Sequence, residues 1–401
     1  MENKSKFIIP VCLGCIAAIG PLAIDMYLAA LPKISADLGI SRGEAQLSLM
    51  SFFAGFTCGQ LIYGPTSDRF GRKPVIYFAL SLFSLASLGC ALVSTSDQLV
   101  FFRFLEGLGG AAGMVIALAM VRDMFRGVEA VRLLATVVLV LGVAPILAPT
   151  AGSLVLQVSV WRTIFLFLAA FGCLNLTLIF LFLPETRPEE KRSSSSPADV
   201  AKNYVRLLFS RDFIPFAGTN AILQGGFFAY IAGVSFVFIN DYGLSSLAFS
   251  ILFGVNAVGL ISGTQITSRV VGKVSPVKVL RIATAVYMLC GGVLLVLKLS
   301  GLAHLWVVSA LLFVFVATLG GIMPSCNMLA MERNGAYAGT AAALLGALGF
   351  GLGAVISAVL GAFTEAGTVA LFSIITICGA TGFTIANVYF PKFVLAEKAE
   401  G

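Results

Sequence analysis

Three ionisable side chains lie inside otherwise apolar stretches: Asp25, Arg103 and Glu106. A charge in that setting is costly unless it faces water or a partner of opposite sign, so each marks a place where chemistry is done. Asp25 is alone in its stretch, and an isolated carboxylate there is suited to take up and release a proton. Arg103 and Glu106 are three residues apart, which on a helix puts them on one face. At a rise of about 1.5 Å per residue, all three sit roughly 6–10 Å from one end of their stretches, at comparable depth. Two pairings are open at this level. Arg103 can hold Glu106 and leave Asp25 to titrate alone, or it can turn to Asp25 and leave Glu106 able to bind a second proton or a cation.

The elements that carry these charges must be membrane spans. Of the 401 residues, 59% are hydrophobic and only 11% charged, less than half the roughly 25% of a soluble domain. Twelve apolar runs follow one another, at 7–31, 45–64, 75–93, 99–121, 134–156, 162–183, 213–239, 245–267, 280–298, 304–330, 336–362 and 367–390. Each is long enough to cross a bilayer as a helix, and β-barrel alternation is absent. The first run lacks a cleavage signature and reads as a span. With the amino terminus on the cytoplasmic side, 21 of the 26 Lys and Arg residues fall on that side, four fall outside, and Arg103 lies within a run. The positive-inside rule therefore predicts two cytoplasmic termini. It also accounts for the net charge of +7 without a nucleic-acid partner. The eight cysteines all lie in apolar runs and read as free packing residues.

The polar segment 184–212 divides the chain into six-run blocks, 1–183 and 213–401. It holds the serine run 193–196 and an amphipathic stretch, Ala198–Phe209, expected along the membrane surface. Ser67-Asp68-Arg69 and Lys73 after the second run recur as Thr267-Ser268-Arg269 and Lys273 after the eighth, which together with the count suggests two parallel repeats. The loop from Gly64 to Pro74 carries the densest charge pattern. Asp68 can meet Arg72 or the amino end of a neighbouring helix, and Asp123, at the end of the fourth run, can complete the group.

That loop resembles the signature G-x-x-x-D-R-x-G-R-[KR] of the major facilitator superfamily, matched by Gly64, Asp68, Arg69, Gly71, Arg72 and Lys73. Leu99 to Ala111 is similar to the pattern L-x-x-x-R-x-x-Q-G-x-G-A-A, with Glu106 in place of Gln. Ala148 to Ser153 resembles the antiporter motif G-P-x-x-G-G, keeping Pro149 and Gly152 and preceded by Pro145. Together with Ile24-Asp25-Met26-Tyr27-Leu28 and Trp161-Arg162, the chain is similar to the bicyclomycin-resistance (Bcr/CflA) group of drug–proton antiporters. The resemblance implies an all-α major facilitator fold of two six-helix bundles around a central cavity. It also implies a conformational latch in the loop and Asp123, proton coupling at Asp25, Arg103 and Glu106, and the antiporter-like motif at Pro145, Pro149 and Gly152.

Tyr27 in the first block and Phe216, Asn220, Gln224, Tyr230 and Asn327 in the second are candidates for a polar-aromatic substrate wall. No cofactor, nucleotide or metal is expected. Gly107 to Ala112 mimics a dinucleotide motif without a preceding strand, no phosphate-binding G-x-x-x-x-G-K-[ST] occurs, and His304 is the one histidine. The expectation is a monomeric exporter of antibiotic-like amphiphiles, not an enzyme, driven by the proton gradient through alternating access. A proton-coupled importer or facilitator of a small metabolite would share the same architecture.

Overall fold

The computed structural model describes residues 2–125, 127–192, 196–271, 273–332, 334, 337–363 and 367–389. Arg126, Arg333, Lys392, Lys398 and residues 193–195 of the serine run lie outside them. Fourteen α-helices are present among the described residues: α1 Glu2–Leu28, α2 Leu31–Leu38, α3 Arg42–Phe70, α4 Arg72–Leu92, α5 Ser96–Met124, α6 Gly127–Val158, α7 Arg162–Phe182, α8 Pro197–Leu208, α9 Ile214–Phe236, α10 Ser246–Val270, α11 Pro276–Leu299, α12 Leu305–Glu332, α13 Ala338–Ala362 and α14 Gly367–Val388. All except α2 and α8 are long and apolar enough to cross a membrane, giving the twelve expected spans. Beyond its first turn, a helix satisfies its backbone donors within itself, which is why hydrocarbon selects this architecture.

Two compact units form, Met1–Ala201 with Ser245–Ile251, and Lys202–Leu244 with Leu252–Gly401. The same packing device appears in each. In the first, Gly55 and Gly59 of α3 lie against the carbonyls of Phe104 and Leu108 in α5; a Cβ on Gly55 would overlap the Phe104 oxygen. In the second, Gly259 and Gly263 of α10 lie against the carbonyls of Phe313 and Ala317 in α12. Glycines four apart facing carbonyls four apart set one register, and that register aligns α3 and α5 with α10 and α12. It pairs Arg103 with Leu312, Glu106 with Phe315, and Phe52 with Asn256.

Two local features depart from the sequence reading. The segment Gly64–Pro74 is not an open loop: α3 runs through Pro65 to Phe70, and the chain reverses at Gly71 alone, with φ +98°. A non-glycine residue would be strained there. Beyond the first span, α2 follows directly, started by Pro32 and stopped by Gly39 at φ +64°, the usual proline-start and glycine-stop pattern. Trp161 and Arg162 hold it: Trp161 Nε1 and Arg162 Nη1 donate to Asp37 Oδ2 at 2.9 and 2.6 Å. Those bonds, from Arg162 first and Trp161 second, hold the Asp37 carboxyl below its ordinary range.

Gly55→Ala should push α3 away from α5 and destabilise the protein by about 1–3 kcal/mol, the usual cost of overpacking. Gly218→Ala, where nothing lies within 4 Å, should be neutral. Thermal unfolding of the two variants in detergent measures the difference.

Candidate functional site

Arg103 and Glu106 are both 0% exposed. Their pairing is direct, with Arg103 Nη1 2.7 Å from Glu106 Oε2. Helix geometry alone brings them together, since i, i+3 neighbours face the same way. The pair is then enclosed by four other helices, α1, α3, α4 and α7. Ser87 of α4 donates its hydroxyl to Glu106 Oε1 at 2.8 Å, with Cys90 Sγ at 3.9 Å from the other oxygen. Arg103 Nη1 also reaches the Ala23 carbonyl of α1 at 3.2 Å. The guanidinium lies 4.3 Å from the ring centres of both Tyr27 and Phe52 and 5.8 Å from that of Phe165. Arg103 Nε and Nη2 have no hydrogen-bond partner among the described residues, so the aromatic faces supply much of what water would have given.

Asp25 belongs to a different environment. It is 4% exposed and carries no ion pair or hydrogen bond to a side chain among the described residues. The reason it does not meet Arg103 is angular. Arg103 touches Ala23 and Tyr27, which share one face of α1 at i, i+4 spacing. Residue 25 lies about 200° around the helix from residue 23 at the ideal 3.6 residues per turn. Of the two pairings the sequence left open, the structure contains Arg103 with Glu106. The antiporter-like motif approaches the Asp25 segment from α6. Gly152 packs so closely on α1 that a Cβ would overlap the Met26 carbonyl, while Pro145 and Pro149 stand inside α6. Each proline withholds a backbone donor one turn back, which loosens that helix where it crosses α1.

At the opposite end of the unit, Arg72 gathers the charged residues of the Gly64–Pro74 segment. Its Nη2 is 2.9 Å from Asp68 Oδ1, its Nε 2.9 Å from Asp123 Oδ2, and its Nη1 donates to Ser67 Oγ at 2.7 Å. Arg187 adds looser contacts, 3.8 Å to Asp68 and 4.0 Å to Asp123. Lys73 Nζ donates to the Leu183 carbonyl at 2.8 Å. Arg69 stands apart, over the Phe70 ring, and the Gly64 carbonyl accepts from Ser67 Oγ at 2.9 Å.

One participant was not singled out from sequence. The Glu185 carboxylate accepts from the backbone N–H groups of Arg72 and Lys73, both at 2.9 Å, and from that of Arg187 at 2.8 Å. It thereby caps the start of α4, where orphan donors and the helix dipole favour an anion. Pro184-Glu185-Thr186 directly after the sixth run was its only signal. Under the glycine register Gly71 aligns with Ser275, so the sequence echo of Arg69 in Arg269 is four residues out of step with the packing. Ser275 caps α11 by accepting from Lys278 N, and Arg269 and Lys273 have no ion pair among the described residues.

Among the described residues the second unit has no buried ion pair. Leu312 and Phe315, aligned with Arg103 and Glu106, are fully buried. Phe315 packs edge-on against Tyr230 and Tyr287. Tyr230 accepts a hydrogen bond from Asn256 Nδ2 at 2.8 Å and stacks on Phe253. Phe216, Asn220 and Gln224 are buried along α9, with Asn220 Oδ1 unpartnered among the described residues. Asn327 on α12 is exposed. Tyr27, in the first unit, is fully buried and bonded to Ser48 Oγ at 2.5 Å.

The model of the Major Facilitator Superfamily matches residues 13–358. The chain belongs to the major facilitator superfamily. It is 41% identical over 362 residues to the uncharacterized MFS-type transporter YdgK of Bacillus subtilis, covering 90% of each chain. It is 32% identical over 359 residues to a bicyclomycin resistance protein homolog of Haemophilus influenzae, again covering 90% of each. The fold is that of the xylose transporter XylE from E. coli, with a TM-score of 0.73 at 13% identity over 97% of this chain and 98% of that one. The protein is thus a multi-pass membrane transporter of this superfamily and not an enzyme, and its sequence groups it with drug-efflux members.

Within this superfamily member, the ion pair should behave as one unit. Glu106→Gln leaves the buried Arg103 charge without its partner and should cost about 3–5 kcal/mol. Replacing both, as Arg103→Met with Glu106→Leu, should recover most of that loss. Chemical unfolding of the two variants checks the comparison. For the charge cluster, Glu185→Ala should cost about 0.5–2 kcal/mol, as loss of a helix cap does. Its signature would be faster amide exchange in the first turn of α4, with the amides at the start of α11 unchanged.

Proposed function

We propose that the protein exports drug-like small molecules in exchange for protons by alternating access, with Asp25 as the main proton carrier. The observation that carries this reading is the unpaired, buried carboxylate of Asp25, set beside a neighbouring pair that already satisfies itself. Export of drug-like compounds is supported by the bicyclomycin-resistance relative and by the retained Pro149 and Gly152 against the α1 segment that bears Asp25.

In the outward-open state, Asp25 takes a proton, which removes a charge and lowers the cost of closing the site. In the inward-open state, a bound substrate favours release of that proton to the cytoplasm. A proton moving with the membrane potential gains roughly 2.3 kcal/mol per 100 mV, which can drive export against a gradient. No cofactor or nucleotide takes part; the proton gradient is the energy source. Asp68, Arg72 and Asp123 form the conformational latch that favours one face of the cycle. Phe216, Asn220, Gln224 and Asn327 contribute the neutral, amphiphile-binding wall. The working unit is a monomer in a bacterial inner membrane with both termini in the cytoplasm.

Asp25→Asn keeps the size of the side chain and removes its proton. In reconstituted vesicles it should abolish drug-driven proton movement while leaving insertion and drug binding in place, and cells expressing it should lose resistance across a chemically varied panel. Normal proton coupling in that variant would remove Asp25 from the mechanism. Proton-driven uptake of a metabolite by the unaltered protein, with no change in drug susceptibility, would make it an importer.

A further inference from the structure

The short helix α8 is independently built. Ser196 caps it by accepting from Asp199 N at 3.1 Å, and Asp199 Oδ2 returns the bond to Ser196 N at 3.1 Å, the reciprocal capping box. It connects two membrane spans, α7 ending at Phe182 and α9 starting at Ile214. From Lys202 onward its residues separate into two faces. Leu207 is buried against the protein. The opposite side carries Lys202, Val205, Arg206 and Phe209, all exposed, with Arg211 just beyond. Phe209 is 83% exposed, an apolar side chain left bare beside three cations.

The other large hydrophobics with comparable exposure among the described residues, Val158, Leu92, Phe180 and Trp306, sit on or at the ends of membrane spans, the places that acyl chains cover. A bare phenylalanine on a connector held between two span ends is placed to meet the same solvent at its border. Its cationic neighbours choose the kind of border. Between Lys202 and Arg211 there are three bases and no acid. Lys202 and Arg211 have no ion pair among the described residues, whereas Arg206 donates to Tyr337 Oη at 2.8 Å and lies over its ring. Two bases are therefore unspent, and the third ties the helix to the residue that precedes α13.

We propose that the exposed face of α8 docks on anionic phospholipid, with Phe209 and Val205 entering the acyl border and Lys202 and Arg211 holding headgroup phosphates. An apolar stripe flanked by bases is the form such interfacial helices take. Because Arg206 joins α8 to Tyr337, a docked helix would also brace the start of α13. The inference is independent of which substrate is carried or in which direction.

The test uses the full-length protein carrying Phe209→Trp, with the parent chain, which has two tryptophans, as the emission baseline. It is reconstituted in phosphatidylcholine alone or in an equimolar mixture with phosphatidylglycerol, each with brominated acyl chains. In the anionic vesicles, the added emission should be quenched by the bromines and shielded from acrylamide in the water. Adding Lys202→Gln with Arg211→Gln should weaken docking roughly fivefold per base removed. The charge-keeping pair Lys202→Arg with Arg211→Lys should retain it. Three outcomes would overturn the proposal: acrylamide access in both lipid mixtures, which would leave the face to water or to a protein; equal bromine quenching in pure phosphatidylcholine; and shielding by soluble glycerophosphate without anionic lipid, which would make this a free-phosphate site. Loss of docking in the charge-keeping pair would also count against it.

Discussion

Hydrocarbon solvates neither a charge nor an unpaired backbone group, and the architecture of this protein follows from that fact. It makes each span a closed helix. It also means that every ionisable side chain within a span must find a partner or have work that requires it to lack one. Arg103 and Glu106 take the first course, enclosed by Ser87, Tyr27, Phe52 and Phe165. Asp25 has no such partner among the described residues, and the difference comes from its angular position on α1.

The two repeats share a backbone device and differ in what they place upon it. Glycines in α3 and α10 allow α5 and α12 to approach within backbone contact. The positions that this register aligns hold an ion pair in one unit and Leu312 with Phe315 in the other. The glycine device is common to both units, and different residues at a few buried positions give them unlike interiors among the described residues, one with charges and one with neutral amides and rings.

The charge cluster at the reversal between α3 and α4 obeys a different rule, because water reaches it. Arg72 can hold Asp68 and Asp123 together only because α3 stays helical to Phe70 and turns at a single glycine. Glu185, just beyond the end of α7, then fastens the start of α4 through two backbone donors, Arg72 and Lys73, and holds its own segment through a third, Arg187. A carboxylate that caps a helix and a guanidinium that collects two others form one connected group. A change at the reversal is therefore felt where the first unit meets its linker.

The spans, their number and the family were legible in the sequence, because hydrophobic length and short motifs act locally. Proximity across helices was not. Whether Arg103 would choose Glu106 or Asp25 depended on which face α1 turns toward α5, and no spacing within one helix encodes that. Glu185 stayed hidden for the same reason: it lies 112 and 113 positions from the amides it caps, in a segment that reads as linker. The Gly64–Pro74 segment looked like a loop because its residues are turn formers. Only the packed charges around Arg72 show that a helix continues through Pro65 and breaks at Gly71. Local chemistry singled out the candidate residues, and the packing of helices against one another decided which of them touch.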